Sequence, residues 1–138
     1  MKGFRRSFTL LELIVVIIII GVLATLGFIQ YAKVVEKGRR AEAASNLGAM
    51  RSMAYVWHQE GGHPSQYPTG NDLPALLGLP APACASTHYF SYGMNGGNGT
   101  GTATRCTGGG KEPQSSEGAY SMSLTIDGTK SSSPLNLW

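Results

Sequence analysis

The chain has 138 residues, 42% of them hydrophobic and 14% charged, with a formal net charge of +3, a length suited to one domain. The positive excess does not describe a nucleic-acid binder: Lys2, Arg5 and Arg6 supply it, and without residues 1–7 the 11 basic side chains fall to 8 against 8 acidic ones. A neutral chain has no electrostatic hold of its own on a phosphate backbone.

Residues 8–32 read FTLLELIVVIIIIGVLATLGFIQYA, and from Leu13 to Ala32 there are 20 consecutive uncharged residues, nearly all apolar. At about 1.5 Å per residue such a helix crosses the roughly 30 Å of a bilayer's hydrocarbon core. Backbone in lipid must satisfy its own hydrogen bonds, which makes a helix the expected form. A secretory signal would have a shorter apolar core and then a small-residue cleavage site. Here the run continues without a break into a charged helix. Glu12 stands at its start, where a simple anchor gains nothing from a carboxylate, so this acid is a functional candidate.

A short basic leader, then Ser7-Phe8-Thr9-Leu10-Leu11-Glu12, then an Ile/Val run with Gly21, resembles the start of a type IV prepilin or pseudopilin. The resemblance implies cleavage between Ser7 and Phe8 by a prepilin peptidase at the cytoplasmic face, and N-methylation of the new Phe8 amine. It also implies that Glu12 pairs with the Phe8 amine of a neighbouring subunit as copies assemble. In two places the chain departs from the pattern: Ser7 stands where the family usually has Gly, and no proline lies near Ile29. The basic leader fits the cytoplasmic preference of Lys and Arg and puts the rest of the chain on the other side.

Residues 33–59 extend the helix without a proline, giving one helix over residues 8–59 on the order of 78 Å long. Glu36 and Arg40, and Arg39 and Glu42, have the spacing of helical ion pairs. Ala43, Leu47, Met50, Ala54 and Trp57 form an apolar stripe suited to packing under a sheet. Gly38, Ala41, Ser45, Gly48 and Ser52 line up small side chains, which permit close approach of a neighbouring helix. Gly61-Gly62 and Pro64 end the helix.

Residues 63–82 read as a loop with about one helical turn at 74–77, stopped by Gly78. Leu73, Leu76, Leu77 and Leu79 are placed to dock it on the sheet, a layout similar to the αβ-loop of pilins. Residues 88–94 alternate as a strand, with Phe90, Tyr92 and Met94 on one face. Residues 95–101 (NGGNGTG) are turn chemistry, and 102–107 are the return strand. Residues 119–126 form the clearest strand, with Tyr120, Met122, Leu124 and Ile126 inward, followed by the Asp127-Gly128 turn signal. The tail from residue 129 has no clear period; Leu135, Leu137 and Trp138 are suited to cover a sheet edge.

Cys84 and Cys106 are the only cysteines. Outside the cytoplasmic membrane a disulfide between them is permitted and is expected, because the region around it is short of core-forming residues. It would tie a loop to a strand on either side of the first hairpin.

The expected architecture is α+β, the pilin fold: a long N-terminal helix, half membrane and half amphipathic, packed on a small antiparallel sheet of 3–4 strands. Its parts are a leader at 1–7, the membrane or filament-core helix at 8–32, the amphipathic continuation at 33–60, and a head at 61–138. No catalytic set, cofactor motif or metal site emerges. His58 and His63 lack the i,i+4 spacing of helical zinc ligands, and Asp72, Glu112, Glu117 and Asp127 are too scattered for a calcium loop. Asn98-Gly99-Thr100 is an N-glycosylation triplet and Ser131–Ser133 offer hydroxyls, both common by chance.

The reading is therefore a structural subunit rather than an enzyme. It would be held in the inner membrane as a precursor with its head outside the cytoplasm, and would polymerise with copies of itself into a helical extracellular filament. Its implied partners are prepilin peptidase, the pilus assembly platform and the membrane, with no nucleic acid evident. The alternative is a pseudopilin of a type II secretion system. By resemblance, major secretion pseudopilins carry a carboxylate-rich calcium site and no disulfide, and this chain reverses both.

Overall fold

A computed structural model describes residues 8–61, 66–113, 118–134 and 137–138. The chain divides into two compact units, Met1–Lys37 and Gly38–Trp138. Helix α1, Leu10–Glu60, contributes to both.

In the first unit α1 is apolar on every face and every residue from Leu10 to Val34 is exposed. A helix apolar all round is one that another apolar phase must cover. α1 is long and apolar enough to cross a membrane, and none of its most apolar stretch is buried in the chain's own fold. Gly21 and Gly27 are helical, and a Cβ at either would meet nothing within 4 Å. Between them the Thr25 hydroxyl donates to the Val22 carbonyl at 2.8 Å, the local bond that lets threonine sit inside a helix.

The second unit is built on the amphipathic stripe. Ala43, Leu47, Met50 and Ala54 are fully buried. They pack with Phe90, Tyr92, Met94, Ala103, Tyr120, Met122 and Leu124. Apart from Tyr120, which directly precedes β3, those residues come from a four-stranded antiparallel meander in the order β1-β2-β3-β4: β1 Phe90–Asn95, β2 Thr100–Arg105, β3 Ser121–Leu124 and β4 Lys130–Ser133. Alternation of buried and less buried residues along β1 and β3 carries the inward face, as the period-two pattern requires. Gly101 of β2 makes the helix approach possible, since a Cβ there would lie 3.3 Å from Leu47 Cδ2. Tyr92 reaches across to the helix and accepts a bond from Asn46 Nδ2 at 2.8 Å. Burial is the main cause that raises its phenol above the ordinary value; the Asn46 bond pulls the other way. The neutral ring therefore favours the fold, and that contribution is lost as pH climbs past the free phenol's pKa of 10.0.

Several expectations shift. Trp57, placed on the buried stripe, is 37% exposed: a row spaced by alternating threes and fours drifts about 20° per heptad around a straight helix, and two heptads turn Trp57 off the sheet. Leu76 is likewise 73% exposed, because the short helix α2, Asp72–Leu76, turns Leu73 and Pro74 inward and leaves Leu76 on the other side. Leu77 and Leu79 pack on the core. The helix starts at Asp72 rather than 74, and Gly78 closes it at φ 67°.

The first turn is tighter than 95–101. Asn95 Oδ1 takes the Gly97 amide at 2.9 Å and Asn98 Oδ1 the Thr100 amide at 3.2 Å, so β2 begins at Thr100 rather than at 102. β3 stops short of 126 because Thr125 joins the next turn, bonding through its hydroxyl to Asp127 and taking the Thr129 amide at 3.0 Å. The bonds from Thr125 and Thr129 hold the Asp127 carboxyl below its ordinary range. The tail contributes an edge strand, β4, with Trp138 Nε1 donating to the Ser131 carbonyl at 2.7 Å. Leu135, expected at that edge, lies outside the described residues, as do Gly62, His63, Pro64 and Glu117.

Candidate functional site at the start of the long helix

Phe8 is 73% exposed and precedes α1 by two residues. Ser7 lies outside the described residues. Thr9 leads from Phe8 into the helix: its hydroxyl accepts the Glu12 amide at 3.2 Å and its carbonyl the Leu13 amide at 3.3 Å. A threonine that bonds the amide three residues on, with an acid at that third position, is the capping-box sequence. Its signal is legible in the four letters Thr9-Leu10-Leu11-Glu12, where the acid is the more conspicuous member.

Glu12 thus sits in the first turn of α1, where the unpaired amides concentrate partial positive charge and a carboxylate is favoured. There it offsets the helix's positive pole within its own chain, and it is the one acid in an otherwise apolar stretch, four residues beyond Phe8. Around it Leu10, Leu11, Leu13 and Ile14 are all exposed, so any partner would approach through apolar surface.

The cysteines are linked. Cys84, in the loop before β1, and Cys106, directly after β2, form a disulfide with their Cα atoms 5.9 Å apart. A neighbouring brace went unnoticed in the sequence: Arg105 is 1% exposed. Its Nη1 donates to the carbonyls of Tyr89 at 3.0 Å and Cys106 at 3.2 Å, and its Nη2 to that of Pro113 at 3.1 Å. A buried guanidinium persists only when its donors are used, and here they join the residue before β1, the half-cystine and the loop after β2. Gly110 passes close over the bridge, since a Cβ there would lie 3.0 Å from Cys106 Sγ.

Of the residues weighed for metal binding, His58 stacks on Tyr67 with ring centroids 4.6 Å apart and no group of three metal-binding side chains occurs among the described residues.

A family model described as the prokaryotic N-terminal methylation motif matches residues 3–28. Curated relatives from Dichelobacter nodosus, each named type IV major fimbrial protein FimA, are 36% identical over 52 residues, which cover 38% of this chain and 33% or 32% of theirs. The chain therefore spans about a third of the length of the relatives it matches. No solved structure matches it. On the motif, on the 52-residue likeness to these relatives and on the long helix packed against an antiparallel sheet, the chain is type IV pilin-like.

Proposed function

We propose that this chain is the precursor of a type IV pilus subunit, cut between Ser7 and Phe8, methylated at the Phe8 amine, and polymerised through α1. The observation that carries the reading is Glu12, an acid at the head of an exposed apolar helix. Before assembly, residues 8–32 rest in lipid. In the filament they are covered by copies of themselves, so apolar burial differs little between the two states and its net drive is small. Charge differs more. A carboxylate facing lipid costs a few kcal/mol even on lenient scales, and a neighbour's Phe8 ammonium offsets that cost while fixing the register of the pair. The amphipathic continuation at 33–60 and the head at 61–138 then form the outer layer.

Capping and pairing make different demands on Glu12, and two substitutions separate them. Glu12→Gln retains a capping-box side chain but no charge, and Glu12→Ala retains neither. Both variants should enter the membrane and both should fail to give sheared surface filaments. Normal filament yield from Glu12→Gln would reduce the acid to a helix cap. Mass analysis of the mature chain should find it beginning at Phe8 with one added methyl; a chain beginning at Met1 would remove the proposal.

A further inference from the structure

The start of α1 is set by one residue. Phe8 and Thr9 lie ahead of the helix, and Leu10 is its first member. The Thr9 hydroxyl takes the Glu12 amide at 3.2 Å, and the Thr9 carbonyl takes the Leu13 amide at 3.3 Å. Thr9 thus holds the cap position, where a carbonyl enters the ladder and the residues before it stay out. Phe8, one residue earlier, is off the helix and 73% exposed. Nothing else in residues 1–8 marks a boundary: proline is absent, and Gly3 is six residues before Thr9. One residue there competes for the cap. Ser7 has a capping hydroxyl of its own, but its third following residue is Leu10, whereas Thr9 has Glu12 to complete the box.

The two caps differ in what they do to the peptide bond between Ser7 and Phe8. Hydrolysis adds one water across that bond. The hydroxyl goes to the Ser7 carbonyl carbon and a proton to the Phe8 nitrogen, which leaves as an amine. From a cap at Ser7, helical geometry would pair the Ser7 carbonyl with the Leu11 amide and make Phe8 the first helical residue. The carbonyl to be attacked would then be tied into the ladder. From the cap at Thr9, the helix takes its first acceptor two residues further on. A peptidase that grips an extended chain through its main-chain groups needs this second arrangement.

We propose that Thr9 is a positioning residue for processing: by capping α1 in preference to Ser7, it keeps the Ser7–Phe8 bond off the helix and open to the peptidase. This rests on the reading that the precursor is cut there. Thr9 touches none of the reacting atoms and acts only through where the helix begins.

The test uses the full precursor and prepilin peptidase in proteoliposomes, with processing followed by mass spectrometry. Thr9→Ala should lower kcat/KM about fivefold, the equilibrium weight of one cap. It should leave kcat little changed, because the peptidase draws on the fraction of chains whose bond lies off the helix. Thr9→Ser should be processed at the natural rate. In a Ser7→Ala background the competing cap is gone, and there Thr9→Ala should cost under about twofold. Carbon-13 shifts of labelled Phe8 in detergent micelles should become helical in Thr9→Ala but not in the double variant. Unchanged kcat/KM, or Phe8 shifts that stay non-helical in Thr9→Ala, would overturn the proposal. A loss equally large in the Ser7→Ala background would assign Thr9 a direct contact with the peptidase and overturn it as well. A natural chain that the peptidase leaves uncut would instead sink the reading beneath it.

Discussion

Between Leu10 and Val34, helix α1 leaves every side chain exposed; between Gly38 and Glu60 it hides Ala43, Leu47, Met50 and Ala54 completely. One backbone conformation serves both stretches, with opposite sources of support. The later stretch is held by its own sheet, through a stripe occupying a fraction of its circumference. The earlier one is covered by nothing among the described residues, and under the proposed function it depends on lipid or on other copies. A side chain's contribution to the folded head and its contribution to assembly should therefore separate cleanly along one helix.

Paired truncations break or sharpen that contrast most strongly. Leu47→Ala should destabilise the second unit by about 2–5 kcal/mol, the range for emptying a packed leucine site, read as a fall in the head's melting temperature in detergent. Ile17→Ala, on the exposed stretch, should leave that melting temperature unchanged and weaken only recovery of filaments. A melting shift from Ile17→Ala as large as that from Leu47→Ala would dissolve the distinction.

Next in size is the covalent tie, which lies wholly in the second unit. Replacing Cys84 and Cys106 by serine opens a loop with a sequence separation of 22, a loss of about 3 kcal/mol by loop-closure arithmetic. Urea unfolding should show it in the head, with membrane insertion unaffected. An unchanged midpoint would mean that Arg105 and the strand ladder already hold the loop. The smallest effect belongs to the first unit: Gly21→Ala and Gly27→Ala should stabilise the helix by up to about 1 kcal/mol each. We expect them to slow filament formation, on the view that this segment loosens when copies pack. Filaments whose helix runs unbroken through residues 21–29 would refute that view.

Legibility in the sequence followed the strength of each periodic signal. The apolar run, the stripe from Ala43 to Ala54 and the inward faces of β1 and β3 could be read directly, because one environment imposes one period on many residues. The edge strand β4 could not: Lys130-Ser131-Ser132-Ser133 contributes little to the core, and register with β3 rather than side-chain pattern makes it a strand. Arg105 was hidden for the opposite reason. Its neighbours Thr104 and Cys106 suggest an ordinary strand end, and the carbonyls that hold the guanidinium come from residues 89, 106 and 113, a meeting that only the fold arranges. At the candidate site the acid was legible and the cap beside it was overlooked, although both lie in the same four letters.

The turn joining β1 to β2 has a bearing on how the head can be altered. Its glycine-rich letters look like a tolerant place to graft a foreign peptide. Gly99, however, sits at φ +62° with Tyr67 Cδ2 2.9 Å from where a Cβ would be and Ile126 Cβ at 3.0 Å, and Tyr67 in turn rests on His58 near the end of α1. An epitope inserted there would prise the helix tip away from the sheet. Residues 107–109, exposed in sequence after the half-cystine, are the better point for display.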